Sequence, residues 1–234
     1  MRILAIDTSV GAGSVAAVDD EGGVERPLGP QGEHARVLAG ALVEVADRRG
    51  WRRDGPALAA ADLVAVVRGP GSFTGLRVGV SAAKALAWSC GARLAGVSGF
   101  EVVARRTARV TGWNDALIAV AFDAGRGDVY ATTVEPSAGG WRVADAVLVP
   151  GESWIDALPR GSRVSGPALG AWGERLAARG RLEIAPPEAW FPAATDVAEA
   201  ARSRAIAGAY DDPRTLVPEY LRPSYAEEAR RPGP

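Results

Sequence analysis

The densest grouping of residues with chemical potential is Arg68-Gly69-Pro70-Gly71-Ser72-Phe73-Thr74-Gly75-Leu76-Arg77-Val78-Gly79. Gly69, Gly71 and Gly75 permit backbone angles closed to other residues, and Pro70 stiffens the bend. Ser72 or Thr74 supplies a hydroxyl to cap a helix. A turn of this kind leaves free N–H groups at a helix start, which is an anion site, so phosphoryl chemistry is the first to test. The P-loop pattern requires Gly, four residues, then Gly-Lys-Ser/Thr. Here Thr74 stands five places after Gly69, and Gly75 is followed by Leu76-Arg77. No lysine is placed to reach a β- or γ-phosphate, and Walker-type chemistry is excluded. The turn serves either close helix packing or an anion or partner surface.

Metal and thiol chemistry is bounded by count. Cys90 is the single cysteine and His34 the single histidine. An intrachain disulfide is impossible, and so is a zinc site built from the chain's own His and Cys. An oxygen-only Mg²⁺ site remains open. A His-Glu-x-x-His metalloprotease pattern is missing. Cys90, near the end of an apolar helix, reads as a small buried residue. With 47% hydrophobic residues, 24% charged residues and a formal net charge of −1 over 234 residues, the chain has a globular balance. It lacks the basic footprint that grips nucleic acid unaided. Lys84 is its only lysine. The short apolar run Ile3–Ile6 is no signal peptide, and no stretch approaches a membrane span. A soluble, cytoplasmic protein is expected.

These residues need elements to position them. Ala61–Val67 reads as a strand buried on both faces, and Leu76–Cys90 as a helix, so the glycine motif is a strand-to-helix turn. Before it, Ile3–Ile6, Ser14–Val18 and Val24–Leu28 form an antiparallel meander, with Asp7-Thr8-Ser9 ending the first strand. Glu33–Arg49 is a helix with Leu38, Leu42 and Val45 on one stripe, Val37 and Ala41 on another, and Val43 on a third. That arc is wider than one sheet face needs. The Leu76–Cys90 helix carries only Arg77 and Lys84 as charges, and Gly79, Ser81, Ala82 and Ala83 are small. Two under-charged helices predict an association surface. Arg48, Arg49, Arg52 and Arg53 read as a solvated helix end.

A strand at Arg93–Val97 and a helix from Ser98 to about Arg109 complete the first half. A boundary is expected at Thr111–Asp115, giving lobes at 1–112 and 113–234. The second half predicts strands at Ala116–Asp123, Asp128–Val134 and Trp141–Val149, a helix at Trp154–Leu158 and a strand at Arg163–Ser165. Helices at Ala168–Arg179 and Thr195–Gly208 follow, the second after Pro186, Pro187 and Pro192 break the chain. Most of Trp141, Trp154, Trp172 and Trp190 are expected in the core. The tail from Ala226 is expected to be mobile. Each half reads β-β-β-α-β-α, which suggests an α/β, actin-like or sugar-kinase-like (RNase H-like) two-lobed fold.

Four motifs make the resemblance specific: Ile6-Asp7-Thr8-Ser9, the long glycine motif, Asp123-Ala124-Gly125-Arg126-Gly127-Asp128-Val129-Tyr130, and Pro218-Glu219-Tyr220-Leu221-Arg222. Over residues 1 to 225 the chain resembles the TsaB (YeaZ) family, the non-catalytic subunits of bacterial tRNA threonylcarbamoyladenosine synthesis. The resemblance implies a scaffold that pairs with a TsaD-type catalytic subunit through a helical bundle, with a TsaE-type ATPase docking on the pair. An apolar face without its partner self-associates, so a homodimer is expected when the chain is alone, and the neutral charge leaves tRNA to be reached through the complex. The resemblance implies no catalytic residue, metal or cofactor of the chain's own, ATP and metal residing on partner subunits. The His-x-x-x-His pair of the catalytic relatives has no counterpart in Val97–Val103. Carried over, His34, Val37, Leu38, Leu76, Val80 and Lys84 are interface residues, although His34 serves equally to cap its helix. Gly69, Pro70, Gly71, Ser72, Thr74, Gly75 and Arg77 are the glycine turn. Asp7 and Asp123 stand where actin-like ATPases keep Mg²⁺ and phosphate ligands, or they simply cap turns. An independent ATPase or kinase of the same fold is the rival reading, and it requires these two carboxylates to converge on a Mg-nucleotide.

Overall fold

The computed structural model of the chain describes residues 1–51, 58 and 60–222. Arg52, Arg53 and the tail from Ala226 lie outside these. The apolar run Ile-Leu-Ala-Ile-Asp forms β1 (Ile3–Asp7), buried at every position. It is continuous rather than alternating because both faces of its sheet are covered. β1 pairs antiparallel with β2 (Ser14–Asp19) and parallel with β4 (Leu63–Gly69). With β3 (Gly22–Pro27) and β5 (Arg93–Ser98), the sheet runs β3-β2-β1-β4-β5.

Side chains alternate across a sheet, and the two faces have different covers. On one, Leu4, Ile6, Val64 and Val66 meet Leu38, Leu42 and Val45 of α1 (His34–Arg48) and Val80, Ala83 and Ala87 of α2 (Phe73–Cys90). On the other, Ile3, Ala5, Ala65 and Val97 meet Ala194, Val197, Ala198 and Ala201 of α6 (Ala194–Ile206), the last helix of the described chain. Alanines dominate that helix face, which lets it lie close to the sheet.

The second sheet runs β11 (Glu183–Ile184), β10 (Arg163–Ser165), β6 (Ile118–Gly125), β7 (Asp128–Ser137) and β8 (Gly140–Val143), with β9 (Val147–Pro150) also pairing with β7. Its third strand, predicted as one run over Trp141–Val149, is therefore split. Where the two pieces part, the Thr132 hydroxyl donates to the Ala144 carbonyl at 2.8 Å, and the chain bulges before pairing resumes. Counting β8 and β9 as one strand, the second sheet repeats the order of the first. α4 (Gly151–Ala157) and α5 (Leu169–Arg179) cover one face through Trp154, Ile155, Leu169 and Leu176. Trp141, Trp172 and Trp190 are half-buried against the cores. The other face is covered by α3 (Gly99–Thr111), which follows the first sheet in sequence yet packs Phe100, Val103 and Ala104 on Ile118, Val120 and Phe122.

The duplicated order and paired sheets make this a two-lobed, actin-like α/β fold. α3 and α6 are exchanged between the sheets and meet each other. There Arg109 donates to both oxygens of buried Asp196, at 3.1 and 2.7 Å. Among the described residues no helix is long and apolar enough to cross a membrane.

Candidate functional site

The glycine turn joins β4 to α2, and the Gly69–Pro70 peptide is cis. α2 begins at Phe73, three residues earlier than its alanine-rich stretch predicts. The reason is Ser72, whose hydroxyl accepts the Gly75 amide at 3.3 Å as an N-cap. The turn lies directly on the end of β1. The Ser72 amide donates to the Ser9 carbonyl at 2.8 Å, and the Thr8 hydroxyl donates to the Gly75 carbonyl at 2.7 Å. A side chain at Gly75 would place its Cβ 2.1 Å from the Thr8 carbonyl oxygen, and one at Gly71 would stand 2.7 Å from that of Ser9. Two motifs that are distant in sequence are thus one contact, and close packing accounts for these glycines.

A segment that sequence reading placed nowhere lies over the same turn. The Asp211 amide donates to the Leu94 carbonyl at 2.8 Å, and Leu216 is buried in the core under α1 and α2. The Glu219 amide donates to the Arg68 carbonyl at 2.7 Å. A Cβ at Gly69 would meet the Glu219 carbonyl oxygen at 2.6 Å. Arg77 donates from Nε to the Tyr220 hydroxyl at 2.9 Å and lies 3.7 Å over the Phe73 ring. Lys84 donates to the Leu216 carbonyl at 3.0 Å. The segment ends on the second lobe, where Leu221 packs beside Phe100 and Phe122, and Arg222 donates to the Ala124 carbonyl at 3.0 Å and to Asp128.

Asp7 is fully buried. Its Oδ1 accepts the Ser9 amide at 2.9 Å and the Ser9 hydroxyl at 2.6 Å, and its Oδ2 has no hydrogen-bond partner among the described residues. Burial pushes this carboxyl up to about 6, against the pull of the Ser9 hydrogen bonds and the nearby His34 imidazole; Glu25 adds to the rise. Asp123 instead spends its carboxylate within the β6–β7 turn, where Oδ1 accepts the Gly125 amide at 2.7 Å. Among the described residues no group of three His, Cys, Asp or Glu side chains could hold a metal ion.

Beside β1, a cavity of about 410 Å³ is lined by Gly11, Ser14, Glu25, Arg106 and Phe191. The Phe191 ring lies where a side chain on Gly11 would stand, 2.9 Å from that Cβ position. The polar lining is committed to the fold. Ser14 Oγ and Glu25 Oε1 accept the Ala194 amide at 2.9 and 3.0 Å, Glu25 Oε2 accepts the Thr195 hydroxyl at 2.8 Å, and Arg106 donates to the Glu188 carbonyl.

Of the six residues assigned to a partner surface, His34, Leu38, Leu76 and Val80 have their side chains in this chain's own interior, at 1–4% exposure. The His34 Nε2 lies 3.2 Å from the Gly29 carbonyl oxygen, ahead of the helix rather than within its first turn. Val37 is half-buried, and Lys84 holds the C-terminal segment. On the outward sides of α1 and α2, Ala35, Ala39 and Val43 are exposed beside Arg36, Glu44, Asp47 and Arg48, and Ser81, Ala85 and Trp88 are exposed in line with Arg77, while Val78 is half-buried against the core. Ala35 and Val78 meet across a groove of about 320 Å³ that also contains Ser72 and Thr74. Helical spacing predicts stripes, but it does not say which of several apolar stripes the sheet takes.

Comparison with known proteins agrees with this architecture. Residues 19–148 match the family model described as TsaD, tRNA N6-adenosine threonylcarbamoyltransferase. The chain is 36% identical over 132 residues to the tRNA threonylcarbamoyladenosine biosynthesis protein TsaB of Escherichia coli, covering 56% of this chain and 53% of that one. It is 45% identical over 67 residues to the Bacillus subtilis protein of the same name, covering 29% and 28%. The chain thus spans about half or less of the length of these curated relatives. Among solved structures, YeaZ from Pseudomonas aeruginosa superposes with a TM-score of 0.78 at 27% identity, over 94% of this chain and 99% of that one. The chain belongs to the tRNA N6-adenosine threonylcarbamoyltransferase (TsaD) family and is of its TsaB (YeaZ) type.

Proposed function

We propose that the chain serves tRNA threonylcarbamoyladenosine biosynthesis as a non-catalytic subunit, docking through α1 and α2 on a TsaD-type catalytic subunit. The observation that carries this reading is the outward face of α2. Both cations of the helix, Arg77 and Lys84, are drawn onto the C-terminal segment. Beyond Arg77, the stripe that faces away from the sheet is uncharged, running through Ser81 and Ala85 to a Trp88 that is 78% exposed. Ala35, Ala39 and Val43 add an uncharged stripe on α1, flanked by Arg36, Glu44, Asp47 and Arg48, which is the apolar centre and polar rim found at interfaces.

A scaffold role is also supported by the glycine turn, whose small residues serve packing against Thr8 and Ser9, and by the Phe191 ring seated on Gly11. In this reading the chain needs no cofactor of its own, ATP and metal belong to the TsaD-type subunit and a TsaE-type ATPase recruited to the pair, and tRNA is held by the assembly. The same apolar face accounts for a homodimer when the partner is missing.

The test is light scattering of the purified chain mixed with its cognate TsaD-type protein, wild type against an Ala39→Glu, Ala85→Glu double variant. Both positions are exposed, so the fold is retained. The expected outcome is a one-to-one complex that the variant fails to form. No complex with the wild type overturns the reading, and ATP turnover by the isolated chain would then favour an independent enzyme of this fold.

A further inference from the structure

We propose that residues Asp211–Arg222 are a coupling strap that makes the order of the β6–β7 turn in the second lobe depend on α2 in the first. The strap is held at both ends and in the middle. At its start, Asp211 accepts the Gly96 amide at 2.8 Å and an Arg204 N–H at 3.1 Å. In the first lobe Leu216 fills the space above Gly96, where a Cβ would stand 2.9 Å from Leu216 Cδ1. At its end, Leu221 enters the core of the second lobe and Arg222 grips the β6–β7 turn through Ala124 and Asp128.

Between these anchors the holds come from α2. Lys84 takes the Leu216 carbonyl, Arg77 takes the Tyr220 hydroxyl, and the Phe73 ring stacks on Tyr220 with centroids 5.1 Å apart. Only four residues lie between Leu216 and Leu221, so the chain between the lobes has little slack. Gly69 permits the Glu219 backbone to lie on the turn that starts α2. Charge-assisted hydrogen bonds such as those of Lys84 and Arg77 are among the stronger ones. A change at the outer side of α2 therefore has a short, taut path to Asp128. That docking on α2 is such a change rests on the function proposed above; the coupling itself does not.

The experiment is amide hydrogen exchange on the full chain without partner, comparing wild type, Arg222→Ala, and a Lys84→Met, Arg77→Met double variant. Each change removes hydrogen bonds while leaving the buried anchors in place. Exchange at residues 124–128 is expected to rise about tenfold in both variants, although Lys84 and Arg77 do not touch that turn. Acceleration at the turn in Arg222→Ala alone would reduce the strap to a local contact and overturn the coupling. Uniform acceleration across both sheets would overturn it as well, because it would report a general loss of stability.

Discussion

Glu25, on the edge strand of the first sheet, caps a helix 169 positions away by accepting the Ala194 amide at 3.0 Å. α6 has no side-chain cap of its own. Ser14 and Glu25 supply one, and the carboxylate also faces the positive end of the helix dipole. Replacing Glu25 with Ala is expected to cost about 1–2 kcal/mol in urea unfolding. Glu25→Gln keeps an acceptor and should recover about half of that.

The glycines of the α2 motif separate by what stands over them. Gly75→Ala drives a Cβ into a backbone oxygen at 2.1 Å, and a loss of more than about 3 kcal/mol is expected. Gly40, exposed on α1, has open space around its missing Cβ. Gly40→Ala should stabilise by roughly 0.5–1 kcal/mol. Thermal melts of the two variants check both signs, and equal effects would contradict the packing described.

Asp7 gives the stability a pH dependence of defined direction. Its folded carboxyl lies at about 6 against an ordinary value of 3.8, so the folded state holds this proton more tightly. Its contribution is greatest below pH 4, is lost as pH rises through 6, and is flat above. A rise of about two pH units corresponds to about 3 kcal/mol. Asp7→Asn should remove that slope, so the variant gains on the wild type between pH 4 and pH 7.5. Urea denaturation at the two pH values measures the difference, and an unchanged gap would show that Asp7 ionises without cost.

Arg109 neutralises Asp196 where the two exchanged helices meet, with Arg106 3.7 Å away as a second cation. Arg109→Ala leaves a buried carboxylate short of its bidentate partner and is expected to cost about 2–3 kcal/mol. Asp196→Asn with Arg109→Ala should cost less than Arg109→Ala alone, which a double-mutant cycle reads directly.

What the sequence made legible was local. The unbroken apolar run of β1, the strand before Gly69, the capping hydroxyl of Ser72 and the order of elements in the first half follow from short-range pattern, whereas the two-residue strand β11 in the second half was too short to leave one. The break between β8 and β9 left no trace, because Val143 and Val147 keep strand chemistry on both sides of it. Lys84 was assigned to the partner surface and Arg77 to the glycine turn. Their partners, Leu216 and Tyr220, lie 132 and 143 residues away, and no periodicity encodes that distance. Leu38, Leu76 and Val80 were apolar in the right helices, but it is the sheet beneath that buries them in this chain's own core. The Pro218–Arg222 motif was visible as a motif; its place across the glycine turn was not.

The exchange of α3 and α6 also sets an order of events during synthesis. Ile3, Ala5, Ala65 and Val97 belong to the strands made first, yet their cover is α6, which ends at Ile206. On the ribosome that face of the first sheet stays open to water until nearly the whole chain has emerged. The half that is translated first is therefore the half that is finished last, and an arrested chain ending at Thr111 presents an alanine- and valine-rich surface, covered only in part by Val102 of α3, for a chaperone to hold.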